Sequence, residues 1–508
     1  MAEKAVFTLK FLLRLRYGLV NFRVKLVIND QQDNIFMLKK GLTRHTLWIL
    51  FTLGIVMELA VFGISQITDI KAQSEHLFFY FTCAFLIYLI TVIYLHFFWS
   101  KTFFSPELIF LFAVVFRVTF LFSEPVLSDD IYRYVWDGKV SNEGINPYRY
   151  APDSDNLKGI RDEVIYPKVN HKSVHTIYPP LLQYLFQFVT LIYPGVFMMK
   201  LALLFFDIGI MAMIFFILKF LDRSLGWIIV YAWNPLVIVE FSGSGHADVI
   251  AIFLLLVALY LALKARSIWA GAILALSFLA KFVSLIVLPF FEDVRSRWKT
   301  VAISTLSVVL IIVTGYIPFL DAADHVNRGL SEYAANWEFN SSWYSLVYHY
   351  IQDFFGIPAS AETFMGFETN NKARTVTKFI LVCAGCSIFA GLFIHHIRKS
   401  YEEQKENILW TSFFLIAAMT LLSPTLHPWY VIWVIPFLCF FPNPAWILFT
   451  GLVFLSYSIL KEYHLTGVWH EDLNIRLWEY VPFYVLLFTR FLWLTIKRLK
   501  AHPPEKLR

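Results

Sequence analysis

The chain has 508 residues, of which 58% are hydrophobic, 18% aromatic and only 16% charged, with a mean hydropathy of +0.61. A soluble domain carries about a quarter charged residues, so an ordinary soluble enzyme is excluded. The formal net charge of +6 is not a nucleic-acid footprint, because Lys and Arg gather at the ends of apolar runs, where they report orientation.

Apolar runs of about 17–25 residues are what a hydrocarbon layer of about 30 Å requires of helices. A chain in that layer must satisfy its backbone internally, and no alternating pattern suggests a β-barrel. The expected fold is an all-α polytopic membrane protein, a bundle of about 12–14 transmembrane helices. Segment 1–45 is basic and reads as cytoplasmic, with an interfacial stretch from Phe7 to Val24 that carries Lys10, Arg14, Arg16 and Arg23. Spans are predicted near 47–69, 78–98, 106–123, 178–194, 196–220, 226–242, 246–264, 267–291, 298–320, 376–397, 407–424, 427–441, 443–461 and 479–497.

Lys39, Lys40 and Arg44 place the N-terminus inside. The third span then exits and 124–177 lies outside. Two irregularities keep the remaining basic clusters on the inner face. Segment 178–194 is read as interfacial or re-entrant, and 267–291 as two short helices that meet at Ala280-Lys281-Phe282. Loop 321–375 is then outside and the tail 498–508 inside. The polar stretches 124–177, Gly243 to Asp248, 321–375, Ser423 to Tyr430 and 462–478 share the outer face. One domain is expected: 46–105 adds two helices to a unit spanning 106–497. The cysteines Cys83, Cys383, Cys386 and Cys439 lie in apolar runs and read as inert buried thiols.

The densest polar stretch is Ser128-Asp129-Asp130-Ile131-Tyr132-Arg133-Tyr134-Val135-Trp136-Asp137-Gly138. Adjacent carboxylates at a helix exit suit a general base, since a like charge raises one member's pKa toward neutrality. They also suit a divalent cation or plain solvation. Arg133 and Asp137 share a face with Asp130 if 128–140 is helical, as an ion pair or as a phosphate fork. Tyr178-Pro179-Pro180 starts a helix or shapes a pocket rim. His246 and Asp248 follow Gly243-Ser244-Gly245 at the mouth of a span. Lys281 is a charge inside apolar sequence, a functional signal by default; it either meets a lipid-linked phosphate or pairs with Glu240 or Asp207. Loop 321–375 carries Glu332, Tyr333, Trp337, Glu338, Asn340, Trp343 and Tyr344, a composition that suits sugar recognition or an interfacial aromatic belt. Ser423-Pro424-Thr425-Leu426-His427-Pro428-Trp429-Tyr430 breaks two spans on the outer face, with His427 as a phosphate or substrate contact.

In order and spacing these islands (Asp129-Asp130-Ile131-Tyr132 with Asp137, Gly144-x-Asn146-Pro147-Tyr148, Tyr178-Pro179-Pro180, Asn234-Pro235, Gly245-His246-Ala247-Asp248, Lys281 and His427-Pro428-Trp429-Tyr430) resemble the GT-C superfamily of integral membrane glycosyltransferases. The likeness is to bacterial polyprenol-phosphate-mannose-dependent mannosyltransferases, over about 106–497. It implies a first outer loop with membrane-parallel helices and the catalytic aspartate, and a second over the donor pocket. The acidic motif here is Asp-Asp, where protein mannosyltransferases show Asp-Glu and the GPI-type relatives a spaced pair. The two N-terminal spans have no counterpart in the resemblance.

The resulting expectation is a hexosyltransferase, most simply for mannose, which uses a polyprenyl-phosphate-linked sugar and a glycan or glycolipid acceptor at the extracytoplasmic face. Asp129 or Asp130 is the expected base. Arg133, Asp137, Tyr178, His246, Asp248, Lys281, His427 and Tyr430 are the donor and phosphate contacts, and Glu332, Trp337 and Asn340 the sugar contacts. Membrane lipids are the surroundings; no metal, cofactor or nucleic acid is expected. A transporter, a lipid flippase, or a glycan ligase or polymerase are the rival readings.

Overall fold

The computed structural model describes residues 45–98, 106–292, 297–356, 363–364, 367–368 and 372–501. The expectations for 1–44 and for the end of the tail fall outside these residues. Helices α1 (His45–Ser65), α2 (Ile70–Phe98) and α3 (Glu107–Thr119) open the bundle. After α4 (Asp130–Asn142) and two short 3-10 turns come α5 (Pro180–Ile192) and α6 (Val196–Phe220). Next are α7 (Ile229–Ala232), α8 (Pro235–Val237), a π turn at Ile238–Ser244, α9 (Asp248–Leu263) and α10 (Ser267–Ala280). The second half holds α11 (Trp298–Tyr316), α12 (Arg328–Asn336), α13 (Trp343–Phe355), α14 (Lys372–Ile397), α15 (Tyr401–Leu422), α16 (Pro428–Val431), α17 (Ile435–Phe440), α18 (Pro444–Leu452), α19 (Ser458–Thr466) and α20 (Leu473–Ala501).

Among the described residues, seven helices are long and apolar enough to cross a membrane. An eighth crossing arises if the pair Leu225–Ala232 and Pro235–Ser244, bent by 51°, is one span. The protein is thus all-α and polytopic. Several runs that read as spans are short helices, because polar residues break them. At Asn234 the side-chain oxygen accepts from Leu236 N at 3.0 Å and Pro235 occupies the first helical turn, so a new helix starts inside an apolar run. Segment 178–194 forms the 13-residue α5, begun by Pro180, which is too short to span about 30 Å at 1.5 Å per residue. The break at Lys281 is also present: α10 stops at Ala280, Lys281 is extended, and a 3-10 turn runs from Ser284 to Phe290.

Segment 124–177 is not a solvated loop. Helix α4 is buried from Ile131 to Gly138 and packs along α5. Its polar residues become tolerable through internal pairing. Arg133 Nε donates to Asp137 Oδ1 at 2.9 Å, and Arg133 Nη2 donates to the Val174 carbonyl at 3.0 Å. Thr176 Oγ1 donates to Asp137 Oδ2 at 2.5 Å. At the α4–α5 crossing, a Cβ on Gly138 would lie 2.3 Å from the Phe186 carbonyl oxygen, a backbone atom that cannot swing away. Gly138→Ala is therefore expected to cost about 1–3 kcal/mol, read as a lower melting temperature of the detergent-solubilised protein.

A second buried pair braces the bundle. Arg117 on α3 donates from Nε to Asp207 Oδ2 on α6 at 2.6 Å, with both side chains essentially inaccessible. Tyr231 Oη donates to Asp207 Oδ1 at 2.7 Å, and Arg117 Nη1 to the Ala232 carbonyl at 2.8 Å. Helices α1 and α2 share the main hydrophobic core, and Phe81 stacks on Phe454 with ring centroids 3.5 Å apart. Cys439 is buried as expected, but Cys383 and Cys386 are exposed on α14. That helix packs by a narrow stripe and turns most of its length outward.

Candidate active site

Several stretches far apart in sequence converge on one polar cluster. The first is the N-terminus of α4, with Asp129 just ahead of it and Asp130 as its first residue. Anionic groups are favoured there by the helix dipole. Asn170 Nδ2 donates to Asp129 Oδ1 at 2.9 Å and to Asp130 Oδ1 at 2.7 Å, so one amide holds both carboxylates. Asp129 is reachable by solvent yet has protein on most sides, which describes the lip of a cleft. That desolvation, and then the Asp130 charge, push the Asp129 carboxyl above the usual carboxylate range. Asp130 is less exposed than Asp129 and its Oδ2 lies 3.8 Å from the buried His246 Nδ1, so its carboxylate is the member of the pair that faces inward.

The second stretch ends the π turn. Gly245 adopts φ 77°, a left-handed conformation that glycine takes at little cost, and a Cβ there would lie 2.5 Å from Ile131 Cδ1 on α4. The chain then places His246 between two acids: Nδ1 lies 3.8 Å from Asp130 Oδ2 and Nε2 lies 3.2 Å from Glu240 Oε2. Tyr457 Oη donates to the other Glu240 oxygen at 2.5 Å. Two residues on, Asp248 receives Trp433 Nε1 at 2.9 Å and the Lys281 ammonium at 3.0 Å. Lys281 therefore pairs with neither Glu240 nor Asp207, the partners considered from sequence. Asp207 is already spent on Arg117.

Loops of the second half complete the cluster. Trp429 is sandwiched by two imidazoles, with His246 centred 3.9 Å away on one ring contact and His427 4.2 Å away on the other. Burial, followed by the nearby His246 and Lys281, holds His427 well below the ordinary imidazole range, so it is neutral at pH 7. Lys281 Nζ sits 4.8 Å from the centre of the Tyr430 ring, and the Tyr430 and Tyr333 hydroxyls share a hydrogen bond of 2.8 Å. Trp337 meets the His171 ring edge-on at 5.0 Å. Glu332 lies within electrostatic reach of that histidine.

Of the residues singled out from sequence, Asp129, Asp130, Tyr178, His246, Asp248, Lys281, His427, Tyr430, Trp337 and Glu332 belong to this cluster. Arg133 and Asp137 lie beneath it and are spent on each other and on the 174–183 segment. Asn340 points elsewhere: its amide donates to Glu479 at 2.7 Å. Sequence reasoning missed Asn170, His171 and Trp433, and named Glu240 only as a partner for Lys281, whereas it faces His246. Only the position of Asn170-His171 within the polar stretch 124–177 offered a signal.

Residues 53–295 match the family model described as MptA_B family, alpha-(1->6)-mannopyranosyltransferase, N-terminal domain. The chain fits a GT-C mannosyltransferase. No curated protein and no solved structure matches the chain. The family match supports mannosyl transfer, and the apolar helices a multi-pass membrane protein. The matched segment includes Asp129, Asp130, His246, Asp248 and Lys281. Trp337, His427 and Tyr430 lie beyond it.

Proposed function

We propose that the chain transfers mannose from a polyprenyl-phosphate carrier to a hydroxyl of a glycan or lipid acceptor, with inversion, at the extracytoplasmic face of a bacterial cytoplasmic membrane. The observation that carries this reading is the Asp129–Asp130 pair, clamped by Asn170 in the same cluster as the Lys281 ammonium. Asp130, the inward-facing carboxylate, takes the acceptor proton. The freed oxygen attacks the anomeric carbon on the side opposite the lipid phosphate, and the anomeric C–O bond breaks with its electrons leaving on the phosphate. Lys281 supplies the positive charge that this departing phosphate requires, an electrostatic contribution that is usually large in such transfers. A phosphomonoester leaving group presents one phosphate to neutralise, so no divalent ion is invoked.

The membrane face is inferred from charge. Helices α9 and α10 meet the cluster at Asp248 and Lys281, while their other ends carry Lys264 and Arg266, and basic residues mark the cytoplasmic side. The test uses purified full-length protein with two donors. Transfer is expected from polyprenyl-phosphate-mannose, without added metal and in the presence of chelator, and not from a nucleotide-linked mannose. Turnover with the nucleotide sugar alone would refute the donor assignment.

A further inference from the structure

Phe339 separates the proposed active site from a second polar space. On one side its ring packs 4.9 Å from His427, and on the other 5.5 Å from Trp469. Its backbone is pinned to the loop before α16: Phe339 N donates to the Pro424 carbonyl at 3.2 Å, and Leu426 N donates to the Phe339 carbonyl at 2.7 Å. Beyond Phe339 lies a cavity of about 100 Å³, whose lining includes Asn340, Ser458, Glu462, His470, Glu471 and Arg476.

Hydrogen-bonding capacity is left over around this space. Arg476 Nε, in the lining, is buried without a hydrogen-bond partner, as is Trp469 Nε1 beside Phe339. Glu479 is fully inaccessible and stands directly behind Asn340, whose amide it receives. Buried polar atoms are nearly always paired, so such orphans call for an occupant. The charge of the lining selects its chemistry. Glu462, Glu471 and Asp472 outweigh Arg476, which is itself paired with Glu471, so a phosphate would be repelled. Among the described residues no group of three or more metal-ligating side chains occurs. Carboxylates, a serine hydroxyl, an amide and a guanidinium beside aromatic rings match a neutral polyhydroxylated ring, which offers several donors and acceptors and an apolar face.

We propose that this cavity binds a pyranose unit of the acceptor glycan, at a position other than the sugar whose hydroxyl reacts. The assignment rests on the glycosyltransferase reading above. It places acceptor recognition in residues 339–340 and 456–476, outside the matched segment 53–295.

The experiment measures equilibrium binding of α-(1→6)-mannotriose to the full-length protein in detergent by calorimetry. Glu462→Ala, at an exposed residue, and Ser458→Trp, which fills the space, are each expected to weaken binding at least tenfold, the effect of losing hydrogen bonds to a charged group. Transfer to methyl α-mannoside, which is one unit long, is expected to be unchanged in Glu462→Ala. Wild-type-like binding by both cavity variants, or no trisaccharide binding by the wild type, would overturn the proposal. Full transfer activity in Asp130→Asn would instead refute the base assignment and leave the cavity result standing.

Discussion

Asp130→Asn is expected to lower mannosyl transfer by about 10²–10⁴-fold, the range a positioned general base contributes. The replacement keeps the shape and the Asn170 contact region but cannot accept the acceptor proton. Asp129→Asn is expected to lose far less, because its carboxylate stands at the lip of the cleft. Stability should move the opposite way from activity. Burial and the Asp130 charge raise the Asp129 pKa in the folded protein, so the fold favours its protonated form. Its ionisation therefore destabilises the fold as pH rises above the ordinary carboxylate range. Asp129→Asn should melt above the wild type at pH 7, and the gap should close as pH falls below that range. Full activity in Asp130→Asn together with a collapse in Asp129→Asn would reverse the two roles.

Arg117→Met is expected to cost about 3–5 kcal/mol, because it strands a buried carboxylate. Asp207 would keep the Tyr231 hydroxyl but lose the Arg117 guanidinium. The double variant Arg117→Met/Asp207→Leu should regain much of the loss, since replacing both charges with apolar groups removes the desolvation penalty along with the attraction. Thermal melting of the three proteins in detergent checks this. A single variant as stable as the wild type would show that water reaches the pair.

The membrane class, the interruption at Lys281 and the non-spanning 178–194 segment were legible because each is a local property of the chain: hydropathy, a charge in an apolar run, a proline pair ahead of a short helix. What the charge at Lys281 pairs with was not legible. Asp207, Asp248 and Glu240 are all acids in apolar surroundings, and only the fold decides that Arg117 takes the first and Lys281 the second. The sequence put 124–177 on the outer face and allowed 128–140 to be helical, but that α4 is buried follows from the mutual pairing of Arg133 and Asp137, which only the fold shows. Asn340 stood among aromatics that suit sugar binding, but a positive φ of 43° turns the chain there and its side chain goes to Glu479. Asn170 and His171 carried no signal beyond their place in the polar stretch 124–177. Their role arises because the 170–171 turn, with φ 42° at His171, brings them back onto the start of α4.

The imidazole–indole–imidazole stack also divides the labour of the chain. His246 comes from the matched segment, whereas Trp429 and His427 come from beyond it. A fragment cut at residue 295 would keep the carboxylates and Lys281 but lose the wall they face, so neither half would turn over alone. The same seam means that a change confined to one half alters one wall of the site and leaves the other as it was.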